Sequence, residues 1–360
     1  MSKAEQIFVS KAPVRIDFSG GYTDIQPFCN EFIGKSLNLS INSYTTVIGR
    51  LRSDKTVRIF SLDLNTIYEV STINEIRLDG ELDLVKRIIL DYNIDFGIDI
   101  IITCDVQFGT GLGTSASLSV ALTKLFCKIQ NISKSKIEIA EYAAEVERKI
   151  GITGGKQDQY ASILGGINFY EFFHHRVKIK RIILSKEKLI DLEKRLLLIH
   201  TGGHRNSSNL VDQIMANYAT GDLTTILDLN SLNSMIDSFV HDIQNSDFQQ
   251  LSQKINYIFH TQKNLNENII DQSIKNLINE LHQIGFCGIK LTGGAGPGAY
   301  ILVLCEETVK GKIVKILNER QISYLCPQIN KGGAYVNAVK KIPENIEILL
   351  QKYFINEPVT

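Results

Sequence analysis

The chain has 360 residues, 44% of them hydrophobic, with 39 Lys and Arg balanced by 39 Asp and Glu. A formal net charge of zero argues against nucleic acid or an anionic membrane as the main partner, and the apolar share is enough for sizeable cores. Six cysteines (29, 104, 127, 287, 305 and 326) stand far apart without a C-x-x-C or Cys/His pairing, so neither a zinc site nor a disulfide framework is indicated.

No run approaches the ~20 apolar residues that a membrane span needs, and the first residues, Met-Ser-Lys-Ala-Glu-Gln, are polar and lack an apolar signal core. The expectation is a reduced, cytoplasmic protein. Its length suggests two domains.

In chain order, residues 6–10 and 12–18 read as short strands interrupted at Ala12-Pro13, ahead of a glycine turn ending in a carboxylate, Ser19-Gly-Gly-Tyr-Thr-Asp24. Residues 36–42 alternate with period two. Residues 45–51 and 57–61 read as an antiparallel pair joined through 52–55, and 82–92 as a helix. The isoleucine-rich run 96–105 has strand character. Helices are expected over 115–130 and 133–149, a third glycine-rich turn over 151–160, and strands at 167–172 and 177–184. A charged stretch (Lys186-Glu-Lys188, Glu193-Lys-Arg195) before a fresh strand at 196–200 marks a boundary, giving domains 1–190 and 191–360. Residues 206–283 read as several helices, followed by strands at 286–292 and 299–305, a helix at 306–318 and a strand at 321–326.

Between the strand at 96–105 and the helix at 115–130 lies Gly109-Thr-Gly-Leu-Gly-Thr-Ser115. Glycines let backbone N–H groups approach an anion, and a helix N-terminus adds unpaired donors and partial positive charge. Thr114, Ser115 and Ser117 supply hydroxyls for a helix cap or a metal. The simplest functional reading is a nucleoside triphosphate cradle; the alternative is a turn that only needs positive φ. The loop has no Lys after its glycines, unlike a P-loop, and its third glycine comes one residue early for G-x-G-x-x-G.

Three glycine clusters now stand in order: Ala12-Pro-Val-Arg-Ile-Asp-Phe-Ser-Gly-Gly-Tyr-Thr-Asp24, Gly109-Thr-Gly-Leu-Gly-Thr-Ser-Ala116 and Lys290-Leu-Thr-Gly-Gly-Ala-Gly-Pro-Gly298. Together they resemble the three motifs of the GHMP kinase superfamily, over nearly the whole chain. Gly154-Gly-Lys-Gln-Asp-Gln-Tyr160, Thr201-Gly-Gly-His-Arg-Asn-Ser207 and the first cluster resemble most the D-glycero-D-manno-heptose 7-phosphate kinases, and the first cluster also resembles L-fucokinase. Three departures stand out: Thr114 in place of Ser, Pro297 in place of Gly, and Tyr22 where the heptose kinases carry glycine.

The resemblance implies an α+β fold of two domains, an N-terminal ribosomal-protein-S5-like domain and a C-terminal ferredoxin-like domain, with the site between them. It implies an ATP-dependent kinase of small molecules that uses Mg²⁺, acts on the anomeric hydroxyl of a sugar or sugar phosphate, and is a monomer or homodimer. The alternatives are another sugar, L-fucose-like, a non-sugar alcohol, or a nucleotide-binding regulator without catalysis.

By the resemblance, Asp158 is the base and Arg15 lies near the reacting hydroxyl and the γ-phosphate. Gly109, Thr110, Gly111, Leu112, Gly113, Thr114 and Ser115 hold the nucleotide, and Ser115 and Glu147 hold Mg²⁺. Glu145 is the rival to Glu147; two residues turn a helix by about 200°, so only one faces inward. Asp24 holds sugar hydroxyls, with Gly21, Tyr22, Gly293, Gly294, Ala295 and Gly296 on the substrate side. Lys156, His204 and Arg205 are the cations for a distal phosphate. Bland alternatives remain open: Asp158 as a cap of the helix beginning near Gln159, Arg15 in a surface pair, Asp24 as turn chemistry and the glutamates on a solvated helix face.

Overall fold

A long β-branched and apolar stretch, residues 34–51, sets the architecture. The computed structural model describes residues 6–202, 208–266, 269–293 and 298–348. The strand β2 (Gly34–Leu51) follows β1 (Ile7–Ser19) and pairs with it antiparallel along its length. Its other edge is shared. The first half, from Gly34 to Leu39, pairs with β6 (Ile167–Phe173), and the second half, from Thr45 to Leu51, pairs with β5 (Ile98–Cys104). Beyond β5 lie β3 (Val57–Ser61) and β4 (Thr66–Val70), and beyond β6 lies β7 (Arg176–Ile182).

The segments 45–51 and 57–61, expected to pair with each other, are separated by β5, which is antiparallel to β2 and parallel to β3. The reason is the run Ile98–Ile102, buried throughout, which needs a partner on each edge and takes the central place. The connection Arg52–Thr56 passes over the end of β5 through hydrogen bonds with Gly97 and Ile98. The carboxylate within this buried run, Asp99, is answered by Arg50 at 2.6 Å and Arg52 at 3.0 Å.

The segments 6–10 and 12–18 form one strand rather than two. Its register against β2 shifts between Pro13 and Arg15 and again between Asp17 and Ser19. Proline lacks an N–H for the ladder, so an irregularity there is expected. The Arg15 N–H leaves the ladder and donates to Leu112 O at 2.9 Å. The strand β4 escaped the sequence reading, as did the helix across 186–195, taken there as a charged boundary.

Helices α2 (Asp83–Tyr92), α3 (Thr114–Ile129) and α4 (Lys136–Lys149) cover one face of this sheet. Val85, Ile88, Leu122, Phe126 and Ile139 pack there against Val47 and Ile100. A full capping box starts α4: Glu138 N–H donates to the Ser135 hydroxyl while the Ser135 N–H donates to the Glu138 carboxylate. The short α1 (Phe28–Glu31) follows the first glycine turn, and α5 (Gln157–Leu164) follows the third. Next come α6 (Lys186–Arg195) and β8 (Leu196–His200).

Among the described residues, four α-helices then run to residue 284: α7 (Ser208–Ala219), α8 (Leu223–Asn245), α9 (Phe248–Leu265) and α10 (Gln272–Ile284). Leu232, Ile236 and Phe239 of α8 pack on Ile16, Phe18 and Leu37 of the first sheet. Strands β9 (Cys287–Leu291) and β10 (Tyr300–Cys305), helix α11 (Glu307–Glu319) and strand β11 (Tyr324–Leu325) follow. Among the described residues they give a second, antiparallel sheet of order β11-β8-β10-β9. Ile278, Leu281, Ile313 and Leu317 bury one of its faces. The last strand, β12 (Tyr335–Val339), returns to the first sheet and pairs with β1, although it lies far past the expected division at 190.

Candidate active site

All three glycine motifs meet at one cavity of about 530 Å³. The strand β1 supplies Arg15 and Asp17, and the turn after it supplies Gly21, Tyr22 and Asp24. The loop before α3 brings Gly109, Gly111, Gly113, Thr114 and Ser115. Helix α4 contributes Glu147, the following turn contributes 151–155, α5 adds Asp158, and the end of β9 adds Gly293.

The motifs are stitched together by backbone contacts. Arg15 Nη1 donates to Gly111 O at 2.6 Å, and the Thr292 hydroxyl donates to Thr110 O at 3.0 Å. Gly111 has φ +78°, and a Cβ there would sit 2.4 Å from Thr292 O. Only glycine lets the second and third motifs approach so closely. Helix α3 starts from Gly113, at φ 74°, with no side-chain cap. Its first N–H groups are therefore left as donors beside the cavity, which is the arrangement that binds phosphate. Thr110 and Ser117 turn away: the Thr110 hydroxyl donates to Gln107 O, and Ser117 bonds Thr114 O and the Thr45 hydroxyl.

Asp158 lies in the first turn of α5, where a negative charge suits the helix dipole. It caps nothing. Instead its carboxylate takes a two-pronged clamp, Nε and Nη2 of Arg15 each donating at 2.7 Å. Arg15 is thus no surface residue: its side chain is 6% exposed, and it links Asp158 to the glycine loop.

Glu147 faces inward and is buried, while Glu145 sits on the surface with Arg148 and Lys149. Gln159 Nε2 donates to Glu147 Oε2 at 2.7 Å, and Oε1 is buried without a hydrogen-bond partner. Burial pushes the Glu147 carboxyl up to about 7, with the neighbouring Ser115 pulling it down and the charge of Asp158 raising it. An unsatisfied carboxylate oxygen beside a serine hydroxyl fits a hard divalent cation. Among the described residues no three His, Cys, Asp or Glu side chains form a metal cage, and Mg²⁺ bound with nucleotide takes most of its ligands from phosphate and water.

Asp24 is buried, and both its oxygens accept from Gln157: Oδ2 from the backbone N–H at 3.1 Å and Oδ1 from the side-chain amide at 3.0 Å. Gly155 makes this possible, because a Cβ there would fall 1.7 Å from Asp24 Oδ2. Burial pushes the Asp24 carboxyl up to about 7; the Gln157 N–H opposes the rise, and the charges of Asp158 and Asp17 add to it. A carboxyl that is easier to protonate folded than unfolded stabilises the protein fully below its unfolded pKa. That contribution fades as pH rises through about 7. Unfolding by urea without nucleotide should show Asp24→Asn gaining stability over the parent between pH 4 and 7.5, by at most about 1.4 kcal/mol for each pH unit traversed. Parallel stability curves for the two proteins would contradict the burial argument.

Tyr22 is buried with φ 76°, a left-handed backbone in a position where glycine is the easy choice. Lys156 does not line this cavity. It pairs with Glu141 at 2.5 Å and lines an adjoining cavity of about 380 Å³ with His174 and His175. His204, Arg205, Gly294, Ala295 and Gly296 lie outside the described residues.

Several residues at the site were not singled out from the sequence. Gln157 and Gln159 flank Asp158 and donate to the carboxylates of Asp24 and Glu147. Asp17 sits two residues past Arg15 on a strand, hence on the same face, a spacing that was available to read.

A model of the GHMP kinases N terminal domain matches residues 82–166. D-glycero-alpha-D-manno-heptose 7-phosphate kinase of Campylobacter jejuni is 28% identical, across 87% of this chain and 93% of that protein. The bifunctional fucokinase/GDP-fucose pyrophosphorylase of Arabidopsis thaliana is 27% identical across 83% of this chain, which spans 30% of that longer protein. Among solved structures, a D-glycero-D-manno-heptose 1-phosphate kinase from Bacteriodes thetaiotaomicron superposes with a TM-score of 0.75 at 23% identity, over 94% of this chain and 100% of that one. Lactococcus lactis galactokinase complexed with galactose gives 0.72 at 19% identity, over 91% and 95%. These two likenesses establish the fold. Residues 82–166 match the GHMP kinases N terminal domain, and the chain shares the mixed α/β fold of these solved kinases.

Proposed function

We propose that the protein is an ATP-dependent sugar kinase that transfers the γ-phosphoryl group to the anomeric hydroxyl of a sugar or sugar phosphate. The observation that carries this reading is the clamped Asp158 on the wall of a cavity whose other wall is the glycine loop and the open end of α3. Phosphoryl transfer asks a protein mainly to position the reactants and to neutralise charge. The loop from Gly109 to Ser115 and the N–H groups of α3 hold the triphosphate. Asp158 accepts the proton of the attacking hydroxyl, and the anomeric hydroxyl is the most acidic one a sugar offers.

Arg15 has two tasks in this scheme. It fixes the Asp158 carboxylate in one orientation, and its charge lies beside the loop where negative charge develops on the transferred group. Glu147 and Ser115 hold Mg²⁺, which when bound neutralises charge on the phosphates. Asp24, fixed by Gln157, and Tyr22 shape the acceptor side.

Among the described residues lining the cavity, Arg15 is the single cation, and it is engaged by Asp158. An ATP-consumption screen across hexoses, heptoses and their terminal phosphates tests the reading. Turnover of at least one sugar is expected; turnover of mevalonate or homoserine with no sugar would contradict it.

A further inference from the structure

One carboxylate on the cavity wall has no part in the reaction described above. Asp17 is 2% exposed yet lines the cavity between Arg15 and the Gly21–Asp24 turn. Lys290, the first residue of the third motif and 1% exposed, donates from Nζ to Asp17 O at 2.9 Å and to Asp17 Oδ2 at 3.2 Å. Burial pushes the Lys290 ammonium pKa down, and the Asp17 charge works against that fall. The second carboxylate oxygen, Oδ1, is buried and has no hydrogen-bond partner.

A purely structural pair between β1 and β9 accounts for Oδ2 and leaves Oδ1 unexplained. A buried charged oxygen without a donor is costly, and a buried ion pair that leaves one is a poor way to hold two strands together. The neighbours do not help: Asp24 and Tyr22 both feel the Asp17 charge as a repulsion of their own ionised forms. A donor from outside the protein would satisfy this oxygen. Space for it exists because residue 21 is glycine; a Cβ there would lie 2.7 Å from Asp17 Oδ2. That space lies beside Oδ2, and a turn of the carboxylate about its broad terminal torsion would carry Oδ1 toward it.

From the buried, half-satisfied carboxylate on this wall, we infer that Asp17 accepts a hydrogen bond from a ring hydroxyl of the sugar acceptor, with Lys290 holding the carboxylate in place. The inference rests on the sugar-kinase reading and adds a specificity determinant to it. A site built to bind a hydroxyl discriminates strongly against the analogue that lacks it, since the site's own polar group is then left unpaired.

The test uses full-length protein with L-fucose, D-mannose and D-glycero-D-manno-heptose 7-phosphate, then monodeoxy forms of whichever is turned over. Asp17→Asn should raise the acceptor KM about tenfold or more while the ATP KM stays within about twofold. One monodeoxy sugar should be penalised heavily by the parent and hardly at all by Asp17→Asn. Gly21→Ala, whose methyl displaces the carboxylate at a backbone position that tolerates alanine, should give the same KM split and decides the matter if Asp17→Asn does not fold. An unchanged acceptor KM with only the melting temperature lowered, in the variant that folds, would overturn the inference and leave Asp17 a strand tie. A parent that phosphorylates none of the sugars would overturn the underlying reading, and the inference with it.

Discussion

Asp158→Asn should lower kcat by about 10²- to 10⁴-fold, the range that a positioned general base contributes. The substitution keeps the size of the side chain and its place in the first turn of α5. It removes the proton acceptor and turns one prong of the Arg15 clamp into a contact between two donors. ATP binding should change little, because the glycine loop and the α3 N-terminus are untouched. Rapid-quench rates and nucleotide titration separate the two effects. A chemical step within a few-fold of the parent would remove Asp158 from the base role and leave it as the partner that orients Arg15.

Gly111→Ala should be the most damaging change among the glycines of the 109–115 loop. The residue has φ +78°, where a Cβ costs about 1–2 kcal/mol. Its added carbon would also lie 2.4 Å from Thr292 O and 2.7 Å from Thr292 C, both backbone atoms that cannot swing aside. Relief requires the second and third motifs to part, which breaks the Thr292-to-Thr110 bond and shifts the Gly111 carbonyl away from Arg15. A total loss of about 3 kcal/mol in stability, with ATP affinity falling as well, is expected. Gly311→Ala is the control. It lies in α11 with nothing within 4 Å of its would-be Cβ, and should stabilise by about 0.5–1 kcal/mol. Urea unfolding and ATP titration read both variants; unchanged values for Gly111→Ala would contradict the close approach of the two loops.

These effects show what could be read from the sequence and what could not. The helix pattern over 115–130 and the isoleucine run before it fell within a residue or two of α3 and β5, because their periodicity and burial agree. The partner of 45–51 was misjudged, since sequence adjacency favours a hairpin and says nothing about the appetite of a fully buried strand for two neighbours. The return of residues 335–339 to β1 is a contact across more than 300 positions that no local signal announces.

At the site, the structure brings residues of the three motifs to one cavity. Helix geometry required that only one of Glu145 and Glu147 turn inward, and packing rather than spacing makes that one Glu147. Position alone could not tell that Asp158 is clamped, that both Asp24 oxygens are occupied by Gln157, or that Lys156 turns to Glu141. Each of these is a choice among partners made by packing, and the side chains concerned come from segments distant in the chain.

The central claim is transfer of the γ-phosphoryl group to an anomeric hydroxyl with Asp158 as the base. Phosphorus–proton correlation NMR of the product tests it most directly. The account predicts that the new phosphorus couples to the anomeric proton of the sugar, whichever sugar the screen selects. A new phosphate coupled instead to the protons of a primary hydroxyl's carbon would contradict it.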